Sequence, residues 1–414
     1  MLPVFDPQDS SCKTPFGAVP CGTTVTFTLR DETYYACELL VRREFSGMDE
    51  AAPLPPAEGG FSGVYTAPAE PELCWYGFRF TRDDGSTVCL GKNGWCGQDA
   101  LTRWQLTVYE DTPTPAWFGE GVTYQIFPDR FRRISVPETE GMVGHRWVHP
   151  CWDDQPVFLP EENGQITNRD FFGGSLAGIT EKLDYLQSLS VSTIYLNPIF
   201  EAGSNHRYNT ADYLAIDPML GTEEDFRTLC REAHDRGIRI ILDGVFNHTG
   251  SNSRYFNADG FYPEPGAAQS KDSPYFPWYS FHPWPTEYDA WWGIHTLPAV
   301  NEDAPDYRRF IISDEDSVVR RWLRCGADGW RLDVADELPD DFIAAIRTAI
   351  TQEKPDGYLL GEVWEDGSNK IAYSRRRRYL LGQETHGLMN YPFRTALLAW
   401  LGGGDAADFR RGME

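Results

Sequence analysis

Two carboxylates and one guanidinium stand out by type and spacing. Asp333 and Glu362 each lie near the end of a short apolar run, DGWRLDV at 328–334 and GYLLGEVW at 357–364. The 29 positions from one to the other match a strand, a crossover helix and the return to a neighbouring parallel strand. Neighbouring strands lie about 4.8 Å apart, so the two carboxyl groups would come within the roughly 5–5.5 Å that double-displacement cleavage of a glycosidic bond requires. In that chemistry one group attacks the anomeric carbon, and the other protonates the leaving oxygen and then activates water. Arg331, two residues before Asp333, falls on the same strand face and would favour the ionised form that a nucleophile takes. Glu362, between Gly361 and Val363 and close to Trp364, has surroundings expected to raise its pKa and keep the proton an acid donates. A third run, IRIILDGV at 238–245, ends in Asp243. One charged residue at a strand end is often a structural ion pair; three such strands in succession favour a reactive site.

The elements that would position these groups alternate between apolar strand and amphipathic helix from about residue 117 onward. VTYQIF (122–127), VSTIYLNPIF (191–200), IRIILDGV, DGWRLDV, GYLLGEVW and HGLMNYP (386–392) read as six buried strands. Helices are expected at 178–190, from Thr222 to Gly237, at 317–326, at 340–350, as a basic helix after 364, and at 393–401. Strands buried on both faces explain the nearly unbroken apolar runs. The pattern predicts a (β/α)8 barrel of the TIM type with about six βα units present, and such barrels carry their chemistry at the carboxyl ends of the strands. Before it, alternating runs such as TVTFTLR (24–30) and CWYGFRFT (74–81) predict an N-terminal β-sandwich over 1–112. DTPTPAW (111–117) reads as the linker, and the barrel would occupy 117–414 with a long insertion at about 249–305.

Fourteen Trp, twenty Tyr and twenty-four Phe suit stacking on sugar faces, although large cores also absorb aromatic area. The insertion carries Trp278, Tyr279, Phe281, Trp284, Trp291 and Trp292 and is too long for an idle connection; each ring either lines a cleft or packs the loop. The net charge of −25 repels phosphate backbones and anionic headgroups, which argues against nucleic acid and membrane as partners. Nine scattered cysteines without a CxxC pair read as free thiols of a reducing cytoplasm. The SRRRR run at 374–378 reads as a solvated helix face.

ILDGVFNH (241–248), GWRLDVADE (329–337) and LLGEVWED (359–366) resemble three signature regions of the α-amylase family of glycoside hydrolases, in order and at family spacing. NPIFEAGSNHRYNTADY (197–213), YQIFPDRF (124–131) and FFGGSLAGI (171–179) are similar to the branch of neopullulanases, cyclomaltodextrinases, maltogenic amylases and amylopullulanases. The resemblance implies Asp333 as nucleophile, Glu362 as acid/base and Arg331 as the group orienting Asp333. It further implies that His206, Asp243 and His248 line or support the sugar site, that Tyr208 stacks on that sugar, and that Glu337 and Trp364 lie toward the acceptor. The sandwich would correspond to the branch's starch-binding-like domain. The implied substrate is an α-glucan oligosaccharide or polysaccharide, cut at α-1,4 and also at α-1,6 linkages; a homodimer is compatible with the branch.

The family's third carboxylate stands in a His-Asp pair on strand seven. The pair His234-Asp235 here falls in a helix, so a barrel without strands seven and eight and without the C-terminal β domain is expected. Relatives place carboxylates in the loop after the first strand and in a GGD motif, whereas this chain has RFRRISVPETEG and Gly173-Gly174-Ser175. Calcium is therefore not expected there, and no cofactor is called for. Two further readings stay open: a transglycosylase using the same intermediate, and a non-catalytic glucan-binding fragment.

Overall fold

The computed structural model describes residues 4–160, 162, 164 and 166–412, and these form two compact units. The first is made of Met1–Pro113 together with Gly367–Glu384. It contains two largely antiparallel sheets. One pairs Thr24–Leu29 with Gly60–Thr66, and the other is built on Ala36–Arg43, Glu72–Thr81 and Trp104–Tyr109. Along Thr24–Leu29 every second residue, Val25, Phe27 and Leu29, is buried, which is the two-residue period of a strand with one face on a core. These side chains share one apolar cluster with Leu39, Val41, Tyr76, Phe78 and Phe80 of the other sheet.

The second piece of this unit corrects two expectations. The chain after Asp366 forms no basic helix, and its arginines do not share one solvated face: Arg375 and Arg378 are exposed, Arg376 is half-buried and Arg377 is buried. Ile371–Ala372 and Arg375–Arg376 pair as a hairpin, closed by Tyr373 and Ser374 at φ +50° and +63°, the two left-handed residues of a tight hairpin turn. Arg376 and Arg378 lie against aromatic rings. Arg376 lies 5.5 Å from the centre of the Trp75 ring and 3.2 Å from the Glu44 carboxylate, and Arg378 lies 4.2 Å from the Phe45 ring centre. Thr112 Oγ1 donates to Gly382 O at 2.7 Å. The stretch expected to run unbroken over 117–414 is therefore interrupted, because arginine over an aromatic face keeps its charge partly hydrated while burying its plane.

The second unit is Thr114–Asp366 with Thr385–Glu414. Its centre is an all-parallel sheet of β1 (Val122–Ile126), β2 (Val191–Leu196), β3 (Arg239–Gly244), β4 (Gly329–Leu332), β5 (Tyr358–Gly361) and β6 (Gly387–Leu388), side by side in chain order. All four residues of β4 and of β5 are buried, as parallel strands covered on both faces require. Helices α1 (Leu176–Glu181), α2 (Leu183–Ser188), α3 (Glu223–His234), α4 (Val318–Arg324), α5 (Asp340–Glu353) and α6 (Tyr391–Leu401) follow or separate the strands. Helix α3 shows why its sequence stops and starts where it does. Thr222 and Asp225 cap each other reciprocally at the start, Phe226, Leu229, Cys230 and Ala233 face the core, and Gly237 at φ +74° follows the end. Between β2 and α3 the chain adds an antiparallel pair, Phe200–Ala202 with Thr210–Ile216.

Among the described residues no helix is long and apolar enough to cross a membrane. The nine cysteines are free, and most are buried. Replacing Arg376 by Ala removes both its ring contact and its ion pair and should cost about 1–2 kcal/mol, read by urea denaturation followed through tryptophan fluorescence. An unchanged midpoint would show that the hairpin is not anchored by this residue.

Candidate active site

Strand register brings the charged residues together. Asp243 on β3 is the direct neighbour of Arg331 on β4, and Leu332 is the direct neighbour of Gly361 on β5. Asp333 and Glu362 each stand one residue beyond that last pair. The ladder runs on past the strand ends, with Asp333 N donating to Gly244 O at 3.1 Å and Glu362 N to Leu332 O at 3.0 Å. Arg331, 3% exposed, spreads its guanidinium over all three acids. Nη1 donates to Asp243 Oδ1 and to Asp333 Oδ1, both at 2.8 Å, and Nη2 lies 2.7 Å from Glu362 Oε2.

Each carboxylate has a distinct second environment. Asp243, fully buried, accepts on Oδ2 from Tyr195 OH at 2.5 Å and Tyr208 OH at 2.9 Å. Glu362 accepts on Oε2 from the backbone N–H of Val334 at 3.0 Å and on Oε1 from Trp364 Nε1 at 3.1 Å. Asp333 uses only Oδ1, in its bond to Arg331; its Oδ2 accepts no hydrogen bond among the described residues. Val334 sits at φ +39°, ψ +54°, a left-handed conformation that is a real outlier for a β-branched residue. The kink turns its N–H onto Glu362 directly after Asp333.

Electrostatics correct the simple expectation for Asp333. Burial raises its pKa, the charge of Asp243 adds to that, and together they outweigh Arg331, pushing it up to about 8. Burial likewise raises Asp243 against the pull of Arg331. Because Arg331 contacts all three acids, it does not by itself single out Asp333 as the ionised group. Asp243 and Asp333, two buried carboxyl groups sharing one guanidinium, therefore titrate as a pair.

The remaining candidates surround this cluster. His206 and His248 are held neutral, both lowered to about 4 by burial, with Arg207 adding to the effect at His206. The backbone N–H of Tyr208 donates to His206 Nδ1 at 3.1 Å, leaving its Nε2 as the protonated nitrogen. His248 Nε2 lies 3.2 Å from Tyr208 O and donates to it, so its Nδ1 is an acceptor, buried and without a partner among the described residues. The His248 ring stacks on Trp291, and Trp291 stacks on Trp292. Trp292 Nε1 donates to Glu337 Oε1 at 3.3 Å and its ring meets Trp364 edge-on at 5.8 Å. Trp292, Val334, Asp336, Glu337, Glu362 and Trp364 line one cleft.

All nine residues expected from the sequence fall in this neighbourhood. The long insertion divides: Trp278 and Tyr279 are buried in loop packing, while Trp291 and Trp292 reach the site. Tyr195 was not expected, since it reads as one more apolar position of β2. Asn197, whose Nδ2 donates to Tyr208 OH at 3.2 Å, opens the 197–213 motif without being singled out there, and Tyr391, whose OH donates to Glu362 Oε1 at 3.4 Å, lies outside the motifs.

In the loop after β1 the buried carboxylate is already committed. Asp129 spends Oδ2 on Arg130 Nε and Phe172 N and Oδ1 on Gly173 N. N–H donors on both oxygens compete with a cation for that carboxylate. No group of three or more His, Cys, Asp or Glu is placed to hold a metal among the described residues.

Asp333→Asn should raise the melting temperature, and the gain should grow with pH. Between the ordinary aspartate value of 3.8 and about 8, the folded protein holds a proton that the unfolded chain has released, so wild-type stability falls as pH rises through that window. Melting curves of both proteins at pH 4.5 and pH 8 check this; a pH-independent difference contradicts it.

Comparison with known proteins agrees with the geometry. Residues 125–406 match the family model described as "Alpha amylase, catalytic domain". An amylopullulanase of Thermoanaerobacterium saccharolyticum is 37% identical over 441 residues, covering 96% of this chain and 34% of its own length. The structure resembles the type III pullulan hydrolase from Thermococcus kodakarensis, with TM-score 0.62, 31% identity, and coverage of 99% of this chain and 69% of that one. It also resembles the cyclic α-maltosyl-(1→6)-maltose hydrolase from Arthrobacter globiformis, with TM-score 0.59, 34% identity, and coverage of 73% and 62%. The chain spans from 23% to 52% of the length of the curated relatives it matches. With its parallel barrel sheet and a family match across the site-bearing strands, this chain belongs to the α-amylase family.

Proposed function

We propose that this chain cleaves α-glucosidic bonds with retention of configuration, Asp333 attacking and Glu362 serving as acid and then base. The observation that carries the reading is the single Arg331 guanidinium bound to both carboxylates. One planar fork holding Asp333 and Glu362 together supports a pair of carboxyl groups acting on one bond.

In the first step Glu362, as the acid, protonates the glycosidic oxygen as its bond to the anomeric carbon breaks. Asp333 Oδ2, which has no hydrogen bond to lose, attacks that carbon and forms a glycosyl ester. Positive charge developing on the sugar beside Asp333 favours its ionised form. In the second step Glu362, now ionised, takes a proton from water, and the water oxygen displaces Asp333. Tyr208 and His248 provide a ring face and an acceptor for the sugar bound at Asp333. Trp292, Trp364 and Glu337 form the side toward the leaving or accepting unit.

The substrates proposed are maltooligosaccharides, cyclodextrins and pullulan, with α-1,4 cleavage and α-1,6 cleavage as its companion. The names of the amylopullulanase and pullulan hydrolase relatives support this range. The first unit is read as a β-sandwich of the starch-binding-like kind, and the free thiols favour a reducing compartment. Transfer to a sugar acceptor is the second reading, favoured by the aromatic cleft beside Glu362. Products at high maltotriose concentration separate the two: chains longer than the substrate mark transfer, whereas glucose and maltose alone mark hydrolysis.

Asp333→Asn should lose about 10³-fold or more of kcat on maltotriose while remaining folded; retained turnover would remove Asp333 from the nucleophile's role. No metal is assigned a part, so prolonged treatment with a chelator should leave activity unchanged, and a loss restored by calcium would refute that.

A further inference from the structure

Between the two site residues His206 and Tyr208 stands Arg207, 0% exposed and in a left-handed conformation at φ +61°. Its side chain runs away from the site into the body of the unit. Nη1 donates to Asn205 O at 2.8 Å, Nη2 lies 3.2 Å from Asp217 Oδ1, and the guanidinium sits 5.6 Å from the centre of the Phe171 ring. Arg146, also buried, takes the rest of the same carboxylate at 2.9 and 3.0 Å and lies 5.3 Å from the same ring. Asp217 in turn accepts the backbone N–H groups of Ala202 and Met219. The anchor therefore ties together the hairpin Phe200–Ala202/Thr210–Ile216 and the insertion after β1.

Two guanidinium groups and one carboxylate out of water are not an economical way to gain stability, because well-packed apolar side chains of similar volume often do as well or better. Geometry gives this cluster its purpose. With Arg207 fixed and its backbone left-handed, His206 and Tyr208 lie side by side, ring centres 5.8 Å apart, and the Tyr208 N–H reaches His206 Nδ1. That leaves Tyr208 OH on Asp243 and Tyr208 O on His248. We infer that Arg207 is a positioning residue, which sets substrate turnover by fixing the His206–Tyr208 pair against Asp243 while never touching the sugar itself.

This inference rests on the glucan-cleaving reading above, and a double-mutant cycle separates the two. Turnover and calorimetric binding of maltotriose are measured for wild type, Arg207→Met, Tyr208→Ala and the double variant, with Arg207→Lys as rescue. Displacing positioned groups by about an ångström costs on the order of 100-fold, so Arg207→Met should lose about 30- to 100-fold in kcat/KM and Arg207→Lys about 3-fold or less. The double variant should be no worse than Tyr208→Ala alone, because both remove one shared effect. Multiplying losses in the double variant would overturn the inference, since a purely structural role adds independently. If Arg207→Met does not fold, Phe171→Leu, which thins the ring under both guanidinium groups, takes its place with a smaller loss and the same expected non-additivity. Inactive wild-type protein that still binds maltotriose would defeat the catalytic reading alone, and the cycle is then read from affinity. Absence of both turnover and binding would overturn both.

Discussion

One guanidinium, buried at the carboxyl ends of three neighbouring strands, holds the site together. Arg331 contacts Asp243, Asp333 and Glu362 through two nitrogens, and each acid comes from a different strand end. Removing the cation would leave three carboxyl groups confined without compensation. Keeping it fixes their mutual orientation, while burial still raises Asp243 and Asp333 against its pull. The parallel register of β3, β4 and β5 is what makes this arrangement reachable, since Asp243 and Arg331 are direct neighbours and Asp333 and Glu362 follow the next pair.

Around that centre the backbone departs from comfortable geometry where it faces the chemistry. Val334, Arg207 and Trp292 all take positive φ without being glycine. Val334 aims an N–H at Glu362, Arg207 separates two inward-facing rings, and Trp292 closes the cleft beside Glu337 and Trp364. Such conformations persist only where surrounding contacts over-determine them. Here those contacts are a buried ion cluster, a run of stacked indoles, and the ladder that continues past β4 and β5.

Much of the centre could be read from the sequence because of how parallel strands are buried. Covered on both faces, they become unbroken apolar runs, and a charged residue near the end of such a run is conspicuous; Asp243, Asp333 and Glu362 were visible for that reason, and Arg331 by its two-residue spacing. Pairings across strands were not visible, so Arg331 was read as belonging to Asp333 when it serves Asp243 and Glu362 as well. Tyr195 looked like core because its ring is core and only its hydroxyl reaches Asp243. The 374–378 arginines misled in the opposite direction. Charge runs usually face water, but Arg376 and Arg378 lie over Trp75 and Phe45, residues some 300 positions earlier, and no local pattern signals that. The hairpin bearing His206 and Tyr208 was missed because its two strands are short and irregularly registered.

The central claim is that Asp333 forms a covalent bond to the sugar while Glu362 handles the proton. The most direct measurement uses Glu362→Gln with an α-maltosyl fluoride, whose leaving group needs no acid, so that the ester forms but its hydrolysis lacks a base. Mass spectrometry of peptides from the quenched reaction should then find one maltosyl group on the peptide containing Asp333, and none when Asp333→Asn is added. A maltosyl group on any other residue, or steady turnover with no adduct, would contradict the account.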